Sequence, residues 1–285
     1  MWYHGASWAS SGELAAGVPT LADMLWIDHF GRGSVVACFS GREGGVSRGP
    51  YASKNLGLHV GDDPLAVLEN RRKVARRLDT TAERITYAQQ VHGSRTAVVG
   101  RRDVGRGALE LRDALPDADA LVTRVKGAAL AVLAADCAPL LMADEAAGVV
   151  AAVHAGWRGA TGGVALSALR VMVEQGARPE RVQVALGPAI RGCCYEVDGP
   201  VIQAVRAAVA RFAPDCRAPL ARSAAGRDRA MLDIPALCRD QLVSAGVLPG
   251  SIVDVGICTE CMPGYFSHRR DNGQSGRHGG FIGLA

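Results

Sequence analysis

Short apolar runs, separated by polar and Gly-rich segments, dominate the hydrophobic pattern of this chain. Runs of this length, bounded by turn residues, are typical of buried β-strands. They predict strands at Ser34–Phe39, Ile85–Gln90, Ala129–Ala135, Leu140–Ala143, Val149–Val153, Val182–Leu186, Ile252–Ile257 and Gly279–Leu284.

Apolar residues recur at helical spacing in four other segments. Asp62 or Asp63 can cap a helix that begins at Pro64, and Leu65, Leu68, Val74 and Leu78 follow on one face. The other predicted helices are Gly162–Gln175, Val201–Phe212 and Pro235–Ala245.

Strands and helices interleave without a regular βαβ count, so we expect an α/β (α+β) fold with a mixed β-sheet flanked by helices. The length of 285 residues, without repeats or long linkers, favours a single domain. We assign residues 1–24 to an irregular N-terminal segment and residues 25–285 to the single folded domain.

Composition narrows the class of protein. Residues 71–77 contain the strongest basic cluster, but it lies on a predicted helix and is typical of a solvated face, so we expect no nucleic acid partner. The first 25 residues do not resemble a signal peptide, and the apolar runs are shorter than the roughly 18 residues of a membrane span. We therefore expect a cytoplasmic protein without membrane contact, with its eight cysteines reduced, and we favour a monomer.

Three residues of metal-ligand type lie at the carboxyl ends of predicted strands. His92 follows Ile85–Val91, Cys137 follows Ala129–Ala135, and His154 directly follows Val149–Val153. Functional sites collect at this edge of an α/β sheet. Two imidazoles and one thiolate suit a catalytic zinc with an open fourth position, although any one of these residues alone is more typical of a protein core.

Polar residues near these strand ends add candidates for binding. Asp136 can orient a ligand histidine or position substrate. The loop Ser40–Ser47 has the composition of an anion cradle, and Arg42 and Arg71 are the basic residues that we place nearest a phosphate. The segment His154–Gly159 predicts access to backbone N–H groups at a helix N-terminus, with a plain Gly-rich turn as the competing interpretation.

The remaining cysteines include two close pairs. Cys258 and Cys261 form a single CxxC without a second CxxC, and Cys193 and Cys194 are adjacent. Packing is the favoured interpretation of both pairs, because adjacent thiols are awkward ligands for one metal ion.

Taken in order, the segments of this chain resemble the YfiH-like family, also described as peptidoglycan editing factors or laccase-like polyphenol oxidases and related to a human macrophage purine-metabolising enzyme. The resemblance extends from about Leu25 to the C-terminus. The motifs that carry it are Phe39–Ser47, Asn55–Gly57, His59–Asp62, Gln90–Gly93, Ala118–Ala120, Ala135–Cys137, His154–Gly159, Gly187–Pro188, Cys193–Val197 and Phe266–Asp271.

The resemblance implies a zinc ion bound by His92, Cys137 and His154. It also implies that Asn55 and Arg71 line a pocket for nucleoside and phosphate. The implied activity is phosphorolysis of adenosine, inosine or methylthioadenosine, together with adenosine deamination. Departures from the usual motifs at Gly41, Ala189, Arg191 and residues 277–280 bear on substrate preference rather than on the metal ligands.

The mechanism follows two hypothetical routes. In one, phosphate attacks the anomeric carbon of the ribose while Arg71, together with Arg42, neutralises its charge; in the other, activated water attacks C6 of the purine. Three alternatives remain. They are a copper-dependent polyphenol oxidase, since copper also suits such ligands, an amide hydrolase of cell-wall precursors with Cys137 as nucleophile and His154 as base, and a binding protein with a structural metal.

Overall fold

Two stacked sheets form the centre of the computed structural model, which describes residues 23–30, 33–216, 219–223 and 228–285. The strands in this part of the chain are β1 Met24–Trp26, β2 Val35–Ser40, β3 Ile85–Thr86, β4 Thr96–Val99, β5 Ala120–Thr123, β6 Ala129–Ala134, β7 Ala138–Asp144, β8 Val149–Ala155, β9 Gln183–Leu186, β10 Glu196–Asp198, β11 Leu220–Arg222, β12 Arg229–Leu232, β13 Ile252–Asp254 and β14 His278–Leu284.

The strands form three sheets. The first has the order β1-β2-β14-β6-β3, the second has the order β13-β9-β7-β8-β5-β4, and the third is the small sheet β10-β12-β11. Parallel and antiparallel pairs occur together in the two larger sheets. Strand β6 belongs to the first sheet and β7 to the second, so the turn between them passes from one sheet to the other.

Side chains of the two large sheets alternate between an inner and an outer face. Phe39, Leu130 and Ile282 of the first sheet pack against Leu141 and the inner faces of β5 and β8 in the second. The neighbours of these residues in sequence point outward into separate clusters. Because both faces of each sheet are buried, the strand sequences are continuous apolar runs and do not alternate between apolar and polar residues.

Five helices among the described residues cover the outer faces and the edges. They are α1 Pro64–Arg77, α2 Trp157–Thr161, α3 Val164–Glu174, α4 Gly199–Phe212 and α5 Ile234–Ser244. Residues of α1 pack on the first sheet, whereas α3, α4 and α5 contribute to the cluster on the second. The Asp63 side chain caps α1 by accepting a hydrogen bond from the N–H of Leu65.

The predicted fold class is confirmed, but several details of the prediction are wrong. The strands of the described residues form three sheets instead of one. The helix predicted at Gly162–Gln175 is α3, but it begins two residues later because Gly163 has a φ of +79°, and the sequence did not predict the short helix α2 before it. The strand predicted at Ile85–Gln90 ends at Thr86 because the chain then pairs with residues around Leu115 instead of continuing in the sheet.

The N-terminal part of the prediction is largely outside the described residues. The irregular segment assigned to residues 1–24 overlaps them only at Asp23 and Met24, where β1 begins. Within the described part of the chain, no helix combines the length and the apolar character needed to cross a bilayer.

Candidate metal centre

The structure brings His92, Cys137 and His154 together. One ligand atom of each lies within 4.8 Å of the others. Cys137 lies in the turn that passes from β6 to β7, and His154 lies in β8 opposite Pro139 of β7. His92 lies in a loop well beyond the end of β3, and His154 lies within its strand, so the expected placement directly after strands holds only approximately.

A buried carboxylate, Asp119, organises the two histidines. Its Oδ1 atom lies 2.8 Å from Nδ1 of His154 and accepts a hydrogen bond of 2.9 Å from the N–H of His92. Its Oδ2 atom accepts from the N–H groups of Val91 and Gly93. Asp119 therefore fixes both the His154 ring and the loop that carries His92, and a carboxylate partner of this kind is common behind metal-binding histidines.

Cys137 and His154 form an ionised pair in the chain itself. Burial alone would raise the pKa of the Cys137 thiol, but His154 and His92 lower it to about 6. Burial alone would lower the pKa of His154, but the Cys137 sulfur and Asp119 raise it to about 9. The sulfur is thus held as a thiolate, which is the form that ligates a metal ion or attacks a carbon atom.

Backbone geometry at the site is unusual. His92 and Asp136 have φ values of 60° and 88°, in the left-handed region that non-glycine residues rarely adopt. Gly156 is required for space: a Cβ atom there would lie 2.7 Å from Cδ2 of His92 and 3.2 Å from Sγ of Cys137. Any larger residue at position 156 would displace these two side chains.

A cavity of about 480 Å³ opens over the three side chains. This volume is in the range of small-molecule sites. Three arginines and four histidines line it, with Asp136 as the one acidic residue among the lining, so the cavity favours an anionic or strongly polar ligand. The lining residues are His59, Gln90, His92, Leu133, Ala134, Ala135, Asp136, Cys137, His154, Gly156, Trp157, Arg158, Ile190, Tyr195, Ile234, His268, Arg269 and Arg277.

Asp136 lines the cavity but does not orient a histidine in the described structure. Its Oδ1 atom accepts from the Thr259 hydroxyl at 2.6 Å, and its Oδ2 atom accepts from the N–H of Arg269 at 2.7 Å. Asp136 thus attaches the segment that carries Arg269 to the turn that carries Cys137, whereas Asp119 performs the orienting role expected of Asp136.

Arg71, Asn55 and Arg42 lie outside the lining of this cavity. Arg71 is only 3% exposed; its Nε atom donates to the Leu56 carbonyl, and its Nη1 atom donates to two further carbonyls. Arg42 donates to the Ala52 carbonyl and packs over Phe266. The expected direct contact of Arg71 and Arg42 with phosphate therefore disagrees with their placement, because neither guanidinium lines the cavity and that of Arg71 is buried against three carbonyls.

Asn55 supports the cavity from behind. Its Oδ1 atom accepts hydrogen bonds from the N–H groups of Gly57 and Arg277, both at 2.9 Å. Since Arg277 lines the cavity, Asn55 is a positioning residue for this arginine.

Several site residues were not assigned a role from the sequence, although all but Arg277 fall within the motifs of the family resemblance. They include Asp119, His59, Tyr195, Arg269 and Arg277. Asp119 could have been selected from the sequence, because an acidic residue directly before an apolar strand needs polar partners when it is buried. Burial and the nearby Arg277 lower the pKa of His59 to about 4, so its ring is neutral at physiological pH. His59 begins the motif His59–Asp62, but the apolar and polar pattern around it does not place it beside the cavity.

The donor set fits a divalent transition-metal ion. Two imidazoles and a thiolate suit zinc and also copper, and three protein ligands leave room for a further ligand from the cavity. Asp119 fixes the tautomer of His154 by binding Nδ1, which directs Nε2 away from the carboxylate.

Comparisons with known proteins agree with this architecture. Residues 36–285 match the family model described as multi-copper polyphenol oxidoreductase laccase. Purine nucleoside phosphorylase YlmD of Geobacillus stearothermophilus is 40% identical over 250 residues, which are 87% of this chain and 89% of that protein. A purine nucleoside phosphorylase of Streptomyces coelicolor is 40% identical over 260 residues, which are 90% of this chain and 95% of that protein.

Solved structures show the same fold. The crystal structure of YfiH from Bacillus licheniformis has a TM-score of 0.85 and 34% identity, covering 92% of this chain and 97% of that one. The crystal structure of Geobacillus stearothermophilus YlmD has a TM-score of 0.85 and 38% identity, covering 91% and 96%. The resemblance noted in the sequence is confirmed, and the chain belongs to the YfiH-like, laccase-domain family.

Proposed function

We propose that this chain is a metal-dependent purine nucleoside phosphorylase that acts on adenosine, inosine and methylthioadenosine, with zinc as its ion. The observation that carries the proposal is the position of His92, Cys137 and His154 at the floor of a basic cavity of nucleoside size. The relatives named above as purine nucleoside phosphorylases, which align over most of this chain, support the same reaction class.

Phosphorolysis transfers a ribosyl group to phosphate. A phosphate oxygen attacks C1′ of the ribose, the C1′–N9 bond breaks, and its electron pair passes to the purine, which takes up a proton. The products are the free base and ribose 1-phosphate. The reaction requires a site that gathers a dianion and a nucleoside and holds them in contact.

Residues of this chain suit these tasks. Arg277, Arg269 and Arg158 line the cavity and supply positive charge for phosphate. Arg277 is held by Asn55 through its backbone N–H and by its own bonds to the carbonyls of Ser275 and Gly276. Tyr195 and Trp157 provide ring faces for a purine. When bound by His92, Cys137 and His154, a divalent ion would supply Lewis acidity toward a substrate oxygen.

The test is an analysis of products. Purified protein, loaded with zinc, is incubated with adenosine in the presence and in the absence of phosphate, and adenine, inosine and hypoxanthine are separated. We expect adenine and ribose 1-phosphate only when phosphate is present. Inosine formed without phosphate would show the accompanying adenosine deaminase activity. Absence of phosphate-dependent adenine, inosine and methylthioadenosine cleavage would refute the proposal.

A second candidate rests on the contacts of Cys137. The thiolate, His154 and Asp119 have the arrangement of a Cys–His–Asp hydrolase, since His154 Nδ1 binds the carboxylate. An amide hydrolase acting on cell-wall precursors would retain activity in a chelator and lose it with a thiol alkylating agent. The phosphorylase proposal predicts that both treatments abolish turnover.

The copper-oxidase alternative has weaker support in this fold. Among the described residues, the two groups of side chains that could hold a metal contain two histidines in total, both in the His92 group. Laccase chemistry uses several copper ions with mostly imidazole ligands. Metal analysis that found several copper ions in each chain would favour the oxidase instead.

A further inference from the structure

A second group of sulfur atoms lies beside the cavity, on two loops that are far apart in sequence. Cys193 and Cys194 precede β10, and Cys258 and Cys261 follow β13. The four Sγ atoms all lie within 4.8 Å of one another. Sγ of Cys261 lies 3.8 Å from that of Cys193 and 3.3 Å from that of Cys194.

Packing does not explain this group. Cys193 and Cys261 are exposed and Cys194 is half-buried, whereas Cys258 is buried. Thiols that serve only as small apolar core residues are usually buried. A single disulfide would use two of the four sulfur atoms and would leave the other two without a role.

The backbone holds the two loops together independently of the sulfur atoms. The N–H of Ala189 donates to the Ile257 carbonyl, and the N–H of Thr259 donates to the Ala189 carbonyl. A turn is closed between the N–H of Met262 and the Cys258 carbonyl. The loops are therefore preformed, which lowers the entropic cost of binding a ligand between them.

Two arginines fix the shape of the loops that carry the four cysteines. Arg191, on the first loop, makes ion pairs with Asp233 and Asp254 that fix its position. The Arg270 guanidinium donates to the carbonyls of Thr259, Glu260 and Met262 on the second loop. The backbone N–H groups of Cys261 and Arg191 donate to the Cys258 sulfur, so both loops hold this atom in place.

We propose that Cys193, Cys194, Cys258 and Cys261 form a second metal site, a closed tetrathiolate that binds Zn²⁺. A zinc ion with bonds of about 2.3 Å to four thiolates places the sulfur atoms roughly 3.8 Å apart. The Cys193–Cys261 distance of 3.8 Å has this value, and the Cys194–Cys261 distance of 3.3 Å is about half an ångström shorter. Thiolates are soft ligands that select zinc, and four of them leave no position for substrate.

The bound ion would connect two walls of the cavity. Tyr195 directly follows Cys194, and Arg269 precedes the arginine that binds the Cys258–Cys261 turn. The Arg269 guanidinium lies over the Tyr195 ring at 5.2 Å. The site is therefore structural, and its occupancy does not depend on the reaction carried out in the cavity.

Metal content of paired variants tests this site. Wild-type protein, the double variant Cys258→Ser/Cys261→Ser, the variant Cys137→Ser and the control Cys216→Ser are purified with reductant and zinc, and the zinc in each chain is measured. We expect the double variant to hold one zinc ion fewer than wild type and the control to match wild type. Cys137→Ser should lose the ion bound by His92, Cys137 and His154. The zinc that remains in this variant therefore counts the four-cysteine site alone.

Cobalt substitution provides a second readout. Co²⁺ bound by four thiolates gives intense thiolate-to-metal charge-transfer bands and tetrahedral visible bands, which we expect in Cys137→Ser. The triple variant Cys137→Ser/Cys258→Ser/Cys261→Ser, in which both candidate sites are broken, should lack them. If the double variant fails to fold, Cys193→Ser replaces it, because this exposed side chain contributes one ligand and its loss should weaken zinc retention in competition with a chelator.

Two results would overturn the site. One is an unchanged zinc content in the folded double variant, together with cobalt spectra that lack thiolate bands in Cys137→Ser. The other is a Cys194–Cys261 disulfide detected by mass spectrometry in protein kept under reductant and zinc, since this bond would remove two of the four ligands.

Discussion

The Oδ1 atom of Asp119 lies 2.8 Å from Nδ1 of His154 and also accepts the N–H of His92. One carboxylate thus sets the ring of one candidate ligand and the backbone of another. Since β5 begins at the next residue, Ala120, and pairs with β8, the same sheet fixes the carboxylate and His154 relative to each other.

Replacing Asp119 with Asn should weaken metal binding. The amide keeps the shape of the carboxylate but loses one acceptor, so one of the N–H groups from Val91, His92 and Gly93 or the His154 ring loses its partner. We expect a fall in zinc affinity of about 10–100-fold, measured by competition with a chromogenic chelator. Asp117→Asn, an exposed change two residues away, is the control and should bind zinc like wild type.

Replacing Gly156 with Ala should damage the site without unfolding the protein. The added Cβ would lie 2.7 Å from Cδ2 of His92, so the ring must move. Displacements of this size lower kcat/KM by on the order of 10²-fold. The control is Gly199→Ala, where a Cβ meets no atom within 4 Å. Equal kcat/KM values for the two variants would contradict the proposed crowding at position 156.

Arg71→Met should lower stability. Its guanidinium is buried and satisfies the carbonyls of Leu56, Gly107 and Ala108, which would lose their donors. We expect the free energy of unfolding to fall by about 3 kcal/mol or more, measured by urea denaturation. The KM for phosphate of the folded fraction should change little; a large rise in KM at unchanged stability would instead restore the direct contact implied by the family resemblance.

Arg277→Met should affect phosphate binding more than stability. Arg277 lines the cavity, and a charge-assisted hydrogen bond to phosphate is worth about 1.5–3 kcal/mol. We expect the KM for phosphate to rise about tenfold or more, with a smaller change in the urea midpoint than for Arg71→Met. Initial rates at varied phosphate and saturating nucleoside provide the measurement. An unaltered KM would mean that phosphate binds elsewhere in the cavity.

Stability should depend on pH through His278. This residue is fully buried, and its ring nitrogens make no well-formed hydrogen bond within the described structure. Burial lowers its pKa from 6.5 to about 4. Between these values the unfolded chain binds a proton that the folded chain excludes, so stability falls as the pH decreases through this window, by about 1.4 kcal/mol per pH unit at most.

The variant His278→Phe isolates this contribution. It removes the titrating group and keeps a ring against Tyr265. The difference in unfolding free energy between wild type and variant, measured by urea denaturation from pH 7 to pH 4, should change in favour of the variant as the pH falls. Parallel curves would show that His278 is not the group responsible.

The sequence predicted the core of the site better than its surroundings. His92, Cys137 and His154 could be selected because each has ligand chemistry and lies near the end of an apolar run. Arg71 was misplaced because a basic residue in a helix carries no information on whether its guanidinium meets solvent, ligand or backbone carbonyls. His59 and Arg277 reach the cavity only through contacts between distant segments, which local periodicity does not encode.

The predicted fold class was right, but the number of sheets was not predicted, for a related reason. Alternation along β7 and β8 divides side chains between two apolar clusters, so a strand buried on both faces looks the same whether helices or a second sheet cover it. The class followed from the pattern, while the number of sheets depended on which strands pair. The same holds for the four cysteines of the second group. In the sequence they are two separate pairs, and they come together only because the backbone pairs at Ala189 and Cys258.

The turn from β6 to β7 carries Cys137 across the gap between the two large sheets, while His154 remains in the second sheet. Capture of an ion by all three side chains therefore requires that both sheets have already closed on each other. A partly folded chain in which only one sheet had formed would lack the complete set of ligands. Metal uptake during refolding should accordingly be a late event, and its time course would report when the two halves of the β-core have joined.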